Sequence, residues 1–218
     1  MKGMDVSMSY SINESSMNFG VFDESRMVHW EKSKLYHSLG DKVRTVEFIS
    51  LDQDGAINLV EAKTSAPREY IDPYTRDISE KFIHTLDLFM SVITGRQKDE
   101  YHEIPELFFS IDIAKVKIRL ILVIKNQRLD TLIPVRNALN KKLTRYIRTW
   151  RLESIVLNEE LAINNGIIPQ QFEDMPEYDM AENGVPASND YALISEEDVN
   201  TSETYTVENN YARGVGGA

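Results

Sequence analysis

Two β-branched stretches, VRTVEFISL (Val43–Leu51) and AINLVEAKT (Ala56–Thr64), flank the turn Asp52-Gln53-Asp54-Gly55. Apolar, β-branched runs on either side of a short Asp/Gly-containing turn predict a β-hairpin. A three-residue loop of Gln53, Asp54 and Gly55, with Gly55 in the left-handed conformation, sets the register. Asp52 then pairs with Ala56, and opposed residues have numbers summing to 108. Glu47 falls opposite Glu61 on this count. Alternate residues of a strand share a face, so Glu61 and Lys63 point the same way.

Downstream of the hairpin, Asp72-Pro73 predicts a helix start, with Asp capping and Pro in the first turn. Ile78, Phe82, Leu86, Phe89, Met90 and Ile93 follow at helical spacing, and Gly95 marks the end. Gln97–Glu106 reads as a polar loop. Val116–Ile124 becomes wholly apolar, as a buried central strand does. Leu129–Trp150 reads as a long amphipathic helix with Leu132, Val135, Leu139, Leu143, Ile147 and Trp150 inward. Ser154–Asn158 is predicted as a last short strand and Glu159–Asn165 as a short helix. Upstream, Glu24–Leu39 fits either a helix stopped at Gly40 or a strand through Val28 and Trp30. Helix-linked strands after a hairpin predict an α/β fold with a mixed sheet. The expected organisation is a flexible arm over 1–20, one α/β domain over 21–168, and a disordered acidic tail over 169–218.

The net charge of −11 averages two opposite blocks. From Gln171 to Ala218 there are eleven acids and one base, with scattered tyrosines and no apolar period. Such a segment buries too little surface to offset its ordering entropy. Lys115 to Arg151 holds eleven bases and one acid, Asp130. A helix face carrying Lys141, Lys142, Arg145 and Arg148, with Lys125 and Arg128 before it, suits a phosphate backbone. Bases on an outer helix face also occur simply because they are solvated. There is no cysteine, so disulfides and thiolate metal sites are excluded and a reducing, cytoplasmic setting is expected. The longest aliphatic run, Leu120–Ile124, is far short of the roughly 20 residues that span a bilayer. Neither phosphate-binding glycine motif occurs, which argues against a nucleotide cofactor. Asp52-Gln53-Asp54-Gly55 resembles the start of a calcium loop, but Lys63 stands where the closing acid is required.

Two carboxylates facing each other across a hairpin are destabilising unless a positive charge lies between them. Lys63 is one candidate, and a divalent cation such as Mg²⁺ or Mn²⁺ is another, since oxygen ligands suit it. Glu47, thirteen residues, then Glu61-Ala62-Lys63, on a hairpin followed by a helix, resembles the PD-(D/E)XK nuclease superfamily. The resemblance covers roughly Glu24–Asn158. It implies a restriction-endonuclease-like αβββαβ core, metal held by Glu47 and Glu61, and Lys63 acting on the nucleophile or the developing charge during DNA phosphodiester hydrolysis. A further acid of that family falls on its first helix, where Glu31 or Glu24 would stand. The alternatives are a non-catalytic regulatory module on the same fold, binding nucleic acid or an acidic protein with the acidic tail as an interaction segment or as an autoinhibitory cover of the basic block, and an interaction subunit docking through that tail. A homodimer or a partner subunit is compatible with each.

Overall fold

The computed structural model describes residues 9–39 and 43–169. Gly40 and the acidic segment from 170 onward, with the tail behaviour expected of it, lie outside the described residues. The chain begins with an antiparallel hairpin, β1 (Ser9–Glu14) and β2 (Met17–Asp23). A five-stranded mixed sheet follows, ordered β3 (Met27–Val28), β4 (Phe48–Leu51), β5 (Ile57–Lys63), β6 (Ile118–Ile124) and β7 (Glu153–Asn158). β3, β4 and β5 pair antiparallel, whereas β6 and β7 join in parallel. The helices are α1 (Lys34–Ser38), α2 (Ile71–Ile93), α3 (Glu106–Phe109), α4 (Leu129–Trp150) and α5 (Glu159–Asn164).

The hairpin register agrees with the count from the turn. Phe48 pairs with Val60 and Leu51 with Ile57, and Asp52 N–H donates to the Ala56 carbonyl at 3.0 Å. Gly55 has φ +81° and nothing crowds its α-carbon, so its glycine is required by conformation and not by space. We expect Gly55→Ala to cost about 1 kcal/mol in urea unfolding. An unchanged midpoint would place the turn outside the cooperative unit.

Alternation along the strands divides the core into two layers. Ile57 and Leu59 of β5 face α2 and α4, together with Ile49, Leu120, Leu122, Phe82, Phe89 and Leu139. Val60 and Ala62 face the opposite side, where Ile12, Met17 and Phe19 of the first hairpin and Ala162 of α5 cover them. β6 is buried on both faces, which explains its unbroken apolar run. The long crossovers between parallel strands are supplied by α2 and α4.

Four expectations need correction. Residues 9–20 are not a loose arm but form most of the first hairpin, because Ile12, Met17 and Phe19 supply a buried face. Glu24–Leu39 is neither one helix nor one strand. It is broken into 3-10 turns at Glu24–Arg26 and Trp30–Lys32, the short β3, and the five-residue α1. Consequently no long helix precedes the sheet among the described residues. At α2 the cap is Tyr70, in the left-handed region at φ +57°. Asp72 lies inside the first turn, where Arg76 and Lys142 pair with it. Trp150 ends α4 at 40% exposure and is not core. No helix among the described residues is long and apolar enough to cross a membrane.

Candidate functional site

Glu47, Glu61 and Lys63 lie at one end of the sheet's inner strands, where β4 begins and β5 ends. The ladder holds the predicted register only as far as Phe48. Glu47 N–H donates to the Val60 carbonyl at 3.1 Å, so its backbone stands against Val60 and not Glu61. An extra residue opposing one partner is the hallmark of a bulge, which re-aims a side chain. The two carboxyl groups still converge. Lys81 Nζ is 2.8 Å from Glu61 Oε1 and 3.8 Å from Glu47 Oε1. Lys63 Nζ approaches the same Glu61 oxygen at 2.6 Å. Glu61 is wholly buried and its Oε2 has no hydrogen-bond partner.

Glu31 completes the group. Its N–H donates to the Glu47 carbonyl at 3.2 Å, and the two side chains share a hydrogen bond. A bond between two carboxyl groups needs a proton, and the environment puts it on Glu47. Burial first, then the bond to Glu31 and the charge of Glu61, push the Glu47 carboxyl up to about 9. The same bond holds Glu31 below the usual carboxylate range. Burial works against the Lys81 ammonium, but Glu61, Glu47 and Glu31 outweigh it and raise its pKa. Near neutral pH the Glu47 carboxyl is therefore neutral, beside an ionised Glu31 and the Lys81 ammonium.

Glu24, the alternative acid ahead of the sheet, is exposed in its 3-10 turn and takes no part. Lys81 is absent from the residues expected at the site, although the sequence carries a signal for it. It falls three residues after buried Ile78 and four before buried Thr85, so a charge interrupts the inward stripe of α2.

The predicted basic residues separate into two groups. Lys125 N–H donates to the Lys63 carbonyl at 2.9 Å, so its backbone adjoins the end of β5 while its side chain points to the face that the first hairpin covers. Lys125 Nζ donates to the Ser16 carbonyl at the tip of the first hairpin, and Arg128 meets Asp130. Lys141, Lys142, Arg145 and Arg148 lie along α4. At 1.5 Å per residue, Arg148 is about 30 Å from Arg128. Lys142 is tied to Asp72 at 2.7 Å. Lys141, Arg145 and Arg148 are exposed, and no ion pair engages them among the described residues.

Carboxylate oxygens are the donors a hard divalent cation takes, and Glu47 Oε2 and Glu61 Oε2 are both buried without a hydrogen-bond partner. Lys81 ammonium now stands between Glu47 and Glu61, where such a cation would sit. Among the described residues no three acidic, histidine or cysteine side chains stand so that they could hold a metal ion together. A cation would therefore require Lys81 to withdraw and Glu47 to release its proton. No family model, curated protein or solved structure matches this chain.

Proposed function

We propose that the chain is a divalent-metal-dependent nuclease of the PD-(D/E)XK type, acting on DNA. The observation that carries this reading is the meeting of Glu31, Glu47, Glu61 and Lys63 at the end of β5. The topology supports it. Three antiparallel strands, the α2 crossover, a parallel strand and then α4 follow the order expected of a restriction-endonuclease-like core. The short α1 and the 3-10 turn holding Glu31 take the place of a long first helix.

In this reading Glu47 and Glu61, with Glu31 behind them, hold Mg²⁺ or Mn²⁺, which when bound polarises the phosphate and favours ionised water. Lys63 is 28% exposed and can turn from Glu61 toward a phosphate oxygen, where its charge offsets that developing in the transition state. In the overall reaction the water oxygen bonds to phosphorus, and the bond to one sugar oxygen breaks. A water proton ends on that oxygen, leaving a phosphomonoester and an alcohol. Lys125 and Arg128, at the end of β6 and the start of α4, take backbone phosphates flanking the site. Lys141, Arg145 and Arg148 track the backbone farther away.

A second reading, a non-catalytic nucleic-acid-binding module, is favoured by one feature. Lys81 already neutralises the acids, as a purely structural ion cluster would require. Purified protein incubated with supercoiled and single-stranded DNA, in Mg²⁺, Mn²⁺ or chelator, separates the two. Metal-dependent cleavage that disappears in a Glu61→Ala, Lys63→Ala double variant supports the nuclease. Folded, DNA-binding protein without cleavage supports the module.

Both readings place DNA against the α4 face. A triple Lys141→Ala, Arg145→Ala, Arg148→Ala variant should bind DNA more weakly at low salt. The slope of log affinity against log salt should fall by about 1 for each phosphate that the variant no longer neutralises. An unaltered slope would remove this face from the interface.

A further inference from the structure

We propose that Tyr70 is a stacking platform for an unpaired base, so that the nucleic acid this protein takes is single-stranded DNA. The inference deepens the DNA reading and rests on its binding half, not on cleavage. Tyr70 is 83% exposed, more than any other large apolar or aromatic side chain among the described residues. It is held at φ 57° and ψ 37°, in the left-handed region that glycine occupies freely and a bulky side chain does not. A ring that buries so little on an unfavourable backbone is accounted for by what it meets outside the fold.

Geometry places this ring beside the free cations. The loop from β5 to α2 is pinned at both ends against the α4 region. Ala66 N–H donates to Gln127 Oε1 at 3.3 Å, just ahead of α4, and Asp72 Oδ1 accepts from Lys142 Nζ at 2.7 Å, beyond its midpoint. These anchors are roughly 20 Å apart at 1.5 Å per residue, and six residues of extended chain span about the same length. The segment therefore runs alongside α4 from Arg128 to Lys142 and bridges the two groups of bases. It leaves β5 directly after Lys63, which joins the acidic site to this path. Tyr70 precedes Asp72 by two residues, so their α-carbons are within about 7 Å. Lys141, Arg145 and Arg148 lie about 60–120° round the helix from Lys142, and all three are exposed. Arg68 and Glu69 cancel within the loop, so the attraction for phosphates comes from α4. A ring among such cations is the combination that holds single strands, with bases stacked on the aromatic face and phosphates on the positive charges. In a duplex each base is already stacked on both sides and must be extruded first.

Fluorescence anisotropy in chelator at low salt tests this on three labelled ligands of one length: oligothymidylate, a strand of abasic sites and a duplex. Tyr70→Gly removes the ring and suits the backbone, whereas Tyr70→Phe keeps the ring. One stacked base is worth about 5- to 150-fold in affinity, so Tyr70→Gly should weaken oligothymidylate binding at least about 5-fold. The abasic strand and the duplex should bind this variant as they bind the wild type, and its urea midpoint should hold or rise. Tyr70→Phe should match the wild type on all three. Unaltered oligothymidylate affinity in Tyr70→Gly, or an equal loss on the abasic strand or the duplex, overturns the proposal. If the α4 triple variant then still weakens all three ligands, the DNA reading stands without the stack. Wild-type protein that binds none of the three ends both.

Discussion

If the chain is the proposed nuclease, Glu61→Gln is expected to lower metal-dependent DNA cleavage by at least about 10³-fold in kcat/KM and to weaken Mn²⁺ binding in the same variant. The size follows from how much depends on one carboxylate. Glu61 is the acid shared by both lysines, and it is wholly buried with Oε2 left unpaired. Removing a preorganised electrostatic partner of a transition state typically costs 10²–10³-fold, and loss of a metal ligand adds to that. The same substitution leaves Lys81, only 12% exposed, without its closest counter-ion. Breaking one side of a buried pair costs about 3–5 kcal/mol, so unfolding must be measured beside cleavage. Lys63→Ala supplies the control. Glu61 keeps Lys81 at 2.8 Å in that variant, so the fold should hold while cleavage still drops by about 10²-fold. Glu61→Gln protein that is folded and cleaves at the wild-type rate would rule out this site as the catalytic centre.

The parts of this site that can be read from the sequence are those set by local geometry. The Asp52–Gly55 turn fixes the register of β4 against β5, and period-two alternation puts Glu61 and Lys63 on one face. The bounds of α4, Leu129–Trp150, are likewise legible because a 22-residue amphipathic helix carries its own periodicity. What escapes depends on packing between distant segments. Lys81 becomes a site residue only because α2 crosses over the end of β5, eighteen residues from Lys63 in sequence. The bulge at Glu47 has no turn or glycine to announce it. Residues 9–23 look polar and irregular, with four Ser and two Asn, yet Ile12, Met17 and Phe19 are enough to cover the far face of β5 and β6. Their hairpin turns on Ser15 and Ser16, both at positive φ, where glycine or asparagine would have given the usual signal. Short strands with a few buried residues are therefore decided by the sheet they cover and not by their own propensity.

In the absence of divalent metal, stability should fall as pH rises from about 5 to about 9, and Glu47 is the residue responsible. Its carboxyl is held up to about 9 in the folded protein, against an ordinary value of 4.5. Between these two values the native state binds a proton that the unfolded chain has released, so the unfolded state gains relative to the native one as pH climbs. The sign is opposite to that of a salt-bridged carboxylate, whose pKa is depressed. Stability from this group is complete below about 4.5 and is lost progressively toward the folded value near 9. The maximum slope for one proton is about 1.4 kcal/mol per pH unit, reduced by whatever rearrangement lets water reach the site. Urea midpoints at about pH 6 and about pH 8.5, measured in chelator, should therefore differ clearly for the wild type. Glu47→Gln keeps the shape and a hydrogen-bond donor toward Glu31 but has no proton to lose, so its midpoints should converge. Divalent metal should flatten or invert the wild-type slope, because a cation takes the place of the Glu47 proton and binds more tightly as that proton becomes easier to remove. A wild-type slope that Glu47→Gln leaves intact would assign it to another group. A slope that vanishes in Glu47→Gln yet ignores Mg²⁺ and Mn²⁺ would identify a shared proton between Glu47 and Glu31 that serves the fold alone, with Lys81 as the permanent cation of the cluster.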